Sequence, residues 1–180
     1  MSEIILGTER LQLRRWKTED LEQFVELNQD PEVRNYLPNP YTPSRACEVF
    51  GLIEEEFQKR GYSLMAVDEK MSGNFIGYVG LHHTQLSFMT EEIVEIGWRL
   101  KKEFWGRGYA TEAAKACLEY AFNDLELSEI YSFTAELNTP SRKVMEKLGM
   151  TFIREFLSEH VDDGHPLQKH VLYKISSKAR

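Results

Sequence analysis

Two cysteines in 180 residues, Cys47 and Cys117, both fall inside helical patterns, so they read as small apolar residues in a reducing compartment rather than as a disulfide framework. No apolar run approaches the roughly 20 residues that cross a bilayer. The first residues, Met1-Ser2-Glu3-Ile4-Ile5-Leu6, lack a basic region followed by a long apolar one. Neither a membrane partner nor a signal peptide is expected, and the chain reads as cytoplasmic. Basic residues are outnumbered, 22 Lys and Arg against 29 Asp and Glu, and a net charge of −7 speaks against general affinity for nucleic acid. No Gly-Lys-Ser or Gly-Lys-Thr opens a helix, and no third glycine completes a dinucleotide fingerprint. A Gly-x-Ser-x-Gly elbow is missing too, which excludes that route to a serine hydrolase. His82 and His83 are neighbours on a strand, point to opposite faces and cannot share a metal ion without distortion. His160, His165 and His170 carry no ligand or triad spacing, and no metal is expected.

What remains is an ordinary globular composition, 42% hydrophobic and 28% charged, with no repeat, low-complexity tract or linker, which fits one domain over residues 1–180. The patterns predict a strand at 10–14, with Arg14 on its polar face, and a helix capped by Thr18. A stiff Pro-rich loop follows at 36–40, then a helix from Thr42 and Pro43 to Gly61. Strands at 62–67, 74–81 and 92–100 precede a long helix from 110, a strand at 130–136 and a short helix with Thr139 as cap. Two last strands, 151–160 and 167–175, close an α/β domain of order βααβββαβαββ.

The most informative stretch links the strand at 92–100 to the long helix: Phe104-Trp105-Gly106-Arg107-Gly108-Tyr109-Ala110-Thr111-Glu112-Ala113. A helix start leaves backbone N–H groups unpaired and carries partial positive charge, so a glycine-rich approach to it can cradle phosphate or pyrophosphate. The helix behind it repeats small residues, Ala110, Ala113, Ala114, Cys117 and Ala121, on one face, which lets its backbone lie close to a sheet. On the preceding strand Glu95 is a carboxylate in an otherwise apolar run. It requires a hydrogen bond, a partner such as Arg14 or Arg99, or an active-site cleft. Gly97, two residues on, marks a bulge or a close approach by ligand. Capping chemistry accounts for Thr139 and Pro140 and leaves Asn138 and Ser141 without an assigned duty.

Trp105-Gly106-x-Gly108-Tyr109-Ala110-Thr111-Glu112-Ala113, with Asn138-x-x-Ser141 running into Val144-Met145-Glu146-Lys147-Leu148-Gly149-Met150, resembles the GNAT N-acetyltransferases, in the branch of the ribosomal-protein acetyltransferases RimJ and RimL. The family's acyl-CoA loop runs Gln/Arg-x-x-Gly-x-Gly/Ala; Gly108 and Ala110 fill the last two fixed positions, and Trp105 stands where Gln or Arg is usual. The resemblance implies the GNAT fold: a mixed, mostly antiparallel sheet of about seven strands, splayed after the fourth, with a bulge in that strand and helices on both faces. It implies acetyl-CoA as co-substrate and no metal. The pantetheine arm would be held by the main chain of Trp98, Arg99 and Leu100, and by Asn138. The pyrophosphate would lie on Trp105, Gly106, Arg107, Gly108, Tyr109, Ala110 and Thr111. Arg142, Lys143 and Lys147 could attract the adenosine phosphates. Glu95 would take a proton from an ammonium substrate, and Ser141 would lie near the departing sulfur. Many members carry a tyrosine general acid seven residues after the asparagine; here Met145 stands there, leaving Ser141 as the substitute or no acid at all. A thiolate with an ordinary pKa of about 8.5 can leave unaided.

The implied acceptor is a primary amine on a peptide N-terminus, amino acid, polyamine or other small molecule. Its site is expected from residues 36–42, the second helix, and the segments 83–91 and 162–166. Family habit also admits a homodimer. Two rivals remain: a non-catalytic CoA sensor of the same fold, and an unrelated nucleotide-binding domain, against which the two failed phosphate motifs speak.

Overall fold

The structure is a computed structural model and describes residues 3–37 and 41–177. In chain order it comprises β1 (Ile4–Gly7), β2 (Leu11–Arg14), α1 (Asp20–Gln29), α2 (Pro43–Arg60), β3 (Leu64–Glu69), β4 (Phe75–Thr84) and β5 (Ile93–Leu100). There follow α3 (Tyr109–Asn123), β6 (Glu129–Ala135), α4 (Thr139–Lys147), β7 (Thr151–Leu157) and β8 (Lys169–Ser176). One eight-stranded sheet runs β1-β2-β3-β4-β5-β6-β8-β7. Its neighbours are antiparallel except β5 and β6. The strand beyond the expected seven is β1, whose run Ile-Ile-Leu-Gly is too short and too uniformly apolar to show alternation; pairing with β2 makes it a strand. The stiff loop expected at 36–40 lies partly outside the described residues. No described helix is long and apolar enough to cross a membrane.

Local chemistry explains most element ends. Thr42 Oγ1 accepts from the Arg45 N–H at 3.2 Å, Pro43 opens α2, and Gly61 closes it with a left-handed φ of 80°. Thr18 is not the cap of α1. Glu19 occupies that position without a side-chain bond, and the Asp20 carboxylate accepts from the Lys17 N–H at 2.8 Å. Arg14, expected on a polar face, is only 4% exposed. A desolvated guanidinium requires compensation, and Arg14 donates to Asp20 at 2.7 and 3.0 Å and to Asp68 at 2.5 and 3.0 Å. The cap of α4 also differs from expectation: it is Asn138, whose side chain accepts from the Ser141 N–H at 3.3 Å, with Thr139 already helical.

The face of α3 carrying Ala113, Ala114, Cys117 and Ala121 is fully buried, and the helix lies against β4 and β5. The aromatic ring of Trp16 meets Phe24 and Phe50 edge-on at 5.2 and 5.3 Å, tying α1 and α2 together. Across β4 and β5 the register is unbroken from Gly77↔Leu100 to Thr84↔Ile93, so the expected bulge in the fourth of the predicted strands, β5, is absent between these pairs. Between β5 and β6 the only paired position is Glu95↔Tyr131, and the two strands diverge beyond it.

Candidate active site

Where β5 and β6 part, a cavity of about 640 Å³ opens. From β5 it takes Glu95, Trp98, Arg99 and Leu100, and from the following turn and helix start Trp105, Gly106, Gly108, Tyr109, Ala110 and Thr111. The start of α4 adds Asn138 and Ser141. Of the residues expected to hold acetyl-CoA or act in transfer, Arg107 is not on this wall, and neither is Arg142 of the basic residues expected near the adenosine phosphates. Ser132 Oγ donates to the Ile96 carbonyl at 2.9 Å, so that carbonyl faces the β6 side. By antiparallel alternation the main-chain groups of Trp98 turn the same way, into the gap.

The turn owes its shape to two left-handed glycines, Gly106 at φ 73° and Gly108 at φ 81°. A Cβ on Gly106 would meet nothing within 4 Å, and Gly108 caps α3 without a side-chain bond, leaving first-turn N–H groups for a ligand. Two features lock this turn. Trp105 Nε1 donates to the Leu100 carbonyl at 2.8 Å, so the tryptophan in the unusual position ties the loop to β5 and engages an acceptor expected to serve pantetheine. Glu112 accepts from Thr8 Oγ1 at 2.6 Å, from the Arg10 backbone at 3.0 Å and from Arg10 Nε at 2.6 Å. The same arginine donates to the Arg107 carbonyl at 3.0 Å and lies 4.4 Å from the centre of the Tyr109 ring. Burial would push the Glu112 carboxyl up, but its bonds to Thr8 and Arg10 outweigh that and hold it below the usual range. This clamp joins residues 102 apart in the chain, and no local pattern announces it.

Glu95 is 8% exposed. Its partner is neither Arg14, taken by Asp20 and Asp68, nor Arg99, which donates to Asn28 Oδ1. It is His82, directly across the strand pair, with Nε2 at 3.1 Å from the carboxylate. Burial would lower the His82 pKa; the charge and hydrogen bond of Glu95 reverse this, and the net shift is upward. His170 is on the wall as well, its pKa lowered by burial against the pull of the Gln168 carbonyl and Glu95. Neither histidine has a role among the sequence expectations. Pairing the hairpin residue by residue back from its turn would have put His82 opposite Glu95.

At α4, Asn138 has a structural duty the sequence left open: besides capping, its amide donates to Thr134 Oγ1 at 2.8 Å. Lys143 and Lys147, one turn apart, line the cavity, whereas Arg142 turns to the Glu136 carbonyl at 3.2 Å. Met145 is buried. The far end of the cavity is walled by Tyr36, Leu37, Tyr41, Val49, Tyr78 and Arg99. The segments 83–91 and 162–166, expected there, supply none of the wall. Phe88 packs instead on Phe156, ring centres 5.1 Å apart. Among the described residues no group of His, Cys, Asp or Glu is arranged to hold a metal ion.

Comparison with known proteins agrees with this geometry. The acetyltransferase (GNAT) domain family matches residues 10–151. The Bacillus subtilis protein YkkB is 32% identical over 148 residues, covering 82% of this chain and 85% of its own. The Aspergillus fumigatus FsC-acetyl coenzyme A-N(2)-transacetylase is 31% identical over 163 residues, covering 86% and 68%. Among solved structures, the acetyltransferase from Agrobacterium tumefaciens superposes with a TM-score of 0.79 at 28% identity, over 98% of this chain and 96% of that one. Mycobacterium smegmatis RimJ, solved with CoA-disulfide, shares the fold with a TM-score of 0.75 at 18% identity, over 93% and 82%. With the family match spanning most of its length and the splayed sheet at its centre, the chain belongs to the GNAT acetyltransferases.

Proposed function

We propose that the protein transfers the acetyl group of acetyl-CoA directly to a primary amine bound in the same cavity. The observation that carries this reading is one cavity holding both a nearly buried carboxylate, Glu95, and a glycine-shaped helix start at Gly108. Unpaired N–H groups at the start of α3 suit a pyrophosphate, with Lys143 and Lys147 nearby for further phosphate charge. The main-chain groups of Trp98 suit the pantetheine arm and the thioester oxygen. The Aspergillus relative, an acetyl coenzyme A transacetylase by name, and the RimJ structure solved with CoA-disulfide support this donor.

An amine that arrives as an ammonium is inert until it loses a proton. Glu95 takes that proton through a water molecule, while His82 holds the carboxylate in place by its hydrogen bond. The neutral nitrogen then attacks the thioester carbon, a C–N bond forms, and the oxygen's developing charge falls to the Trp98 N–H. As the C–S bond breaks, sulfur leaves as thiolate or takes the Ser141 hydroxyl proton. The second proton, shed by nitrogen as it becomes an amide, goes to the thiolate or restores the Ser141 hydroxyl, so the products are the amide and CoA thiol. Positioning contributes most of the rate, and the base roughly 10²–10⁴-fold.

Met145, in place of an acidic hydroxyl, favours one second reading, a CoA-binding sensor without turnover. Thiol release from acetyl-CoA against a panel of amines separates the two. Release that is lost in Glu95→Gln supports transfer, and tight acetyl-CoA binding with no release on any amine supports the sensor.

A further inference from the structure

Apart from tyrosines, the described residues put six charged or titratable side chains on the cavity wall, and only Glu95 among them is a carboxylic acid; the others are Arg99, Lys143, Lys147, His82 and His170. The two lysines belong to α4 beside the donor loop, and both histidines flank Glu95. Arg99 is different. It sits at the opposite end among Tyr41 and Tyr78, its guanidinium carbon 5.7 and 5.6 Å from their ring centres. Its partners are neutral, Asn28 Oδ1 and the Tyr78 hydroxyl, and no carboxylate lies within 4 Å of it among the described residues. A half-buried cation that faces a cavity with donors to spare and no counter-charge is incomplete.

We propose that Arg99 anchors an anionic group on the acceptor, so that the amine substrate is a small zwitterion, an amino acid or close analogue with a free carboxylate, and not a polyamine. The inference rests on the acetyl-transfer reading and deepens it. Glu95 and Arg99 share one face of β5, four residues apart, which puts their Cα atoms about 13 Å from each other. Both side chains stand off the sheet on that face, so a molecule lying along the strand between them, with an ammonium at one end and a carboxylate at the other, can reach both heads. The planar fork of arginine suits a carboxylate in two parallel hydrogen bonds. A polyamine would bring a second positive charge against Arg99 and find no acid there to receive it. The Tyr41 and Tyr78 rings beside the guanidinium lower the local dielectric and strengthen such a pair.

The test is CoA release at saturating acetyl-CoA with free α- and ω-amino acids, the same compounds with the carboxylate converted to an amide, and spermidine. At least one free amino acid should exceed its amide by about 10- to 100-fold in kcat/KM, the range of a charged hydrogen bond. Arg99→Gln, which keeps an N–H for Asn28, should erase that preference mainly through KM, and Arg99→Lys should restore part of it. An amide or spermidine used as well as the free acids, or a preference untouched by Arg99→Gln, overturns the proposal and leaves acetyl transfer standing. A peptide N-terminus as the true acceptor would appear as amides equal to free acids. If no amine releases CoA, transfer itself fails. Calorimetric titration of the same amino acids with CoA present then decides the anchor alone: binding of free acids lost in Arg99→Gln supports it, and no binding contradicts it.

Discussion

The two ends of the cavity are made in opposite ways. At the donor end a few consecutive residues, Trp105 to Thr111, determine the shape through glycine torsions and a helix start, so the groups offered there belong mostly to the main chain. At the acceptor end the wall is assembled from side chains of separate parts of the chain: Tyr36 and Tyr41 around α2's start, Tyr78 on β4, Arg99 on β5. A backbone-built site is insensitive to most substitutions and intolerant of a few. A side-chain-built site can change its partner with one replacement while the donor end stays as it is. A fold that serves many acceptors with one donor is the natural outcome.

The sharpest way to separate the ends is Glu95→Gln. Turnover should fall about 10²–10⁴-fold while acetyl-CoA affinity stays as it was, and raising the pH towards the amine's own pKa should recover part of the rate. Parallel loss of acetyl-CoA binding would show that the two ends are not independent. Next in size is Arg14→Met, which leaves Asp20 and Asp68 buried without their cation. Urea unfolding should show a loss of about 3–5 kcal/mol, felt equally at both ends, because the triad supports the sheet rather than the cavity. Gly108→Ala should weaken acetyl-CoA about tenfold, since a side chain in the left-handed region costs about 1–2 kcal/mol and the strain sits at the donor end alone. His82→Gln should cost turnover several-fold and remove from the pH–rate profile the limb belonging to His82, which Glu95 and, more weakly, Glu56 place above its ordinary 6.5.

The smallest effect is on stability in acid. The Asp20 carboxyl is held below its ordinary 3.8: burial alone would raise it, and the bonds to Arg14 and the Lys17 N–H win. A depressed folded pKa contributes stability that is complete above the unfolded value and lost as pH falls through the folded one. The urea midpoint should therefore hold steady down to about pH 4 and decline below it. Arg14→Met should flatten that decline.

This contrast also explains how much the sequence revealed. Gly106, Gly108 and the small-residue face of α3 are local signals, read within one or two turns of chain, and the helix, turn and cavity lining follow from them. Glu95 stands out because a carboxylate conflicts with its strand. By contrast, the partner of Glu95 depends on the register of β4 against β5, and the burial of Arg14 depends on acids from α1 and β3. The Arg10–Glu112 clamp needs β2 and α3 in their final places. Such pairs are properties of the assembled sheet. The cap of α4 differs from expectation for a smaller reason: Thr139-Pro140 reads as cap and first helical residue, and the actual cap lies one position earlier, at Asn138. Residues 83–91 and 162–166, expected on the acceptor wall, are segments whose nearness to the site no periodicity can test, and they supply none of it.

The decisive measurement pairs calorimetric titration of acetyl-CoA with thiol release in the unaltered protein, Glu95→Gln and Gly108→Trp. A donor end of backbone and an acceptor end with its own base require that Glu95→Gln bind acetyl-CoA normally yet release almost no CoA, and that Gly108→Trp do neither. Normal acetyl-CoA binding by Gly108→Trp, or undiminished release by Glu95→Gln, would contradict that division of the cavity.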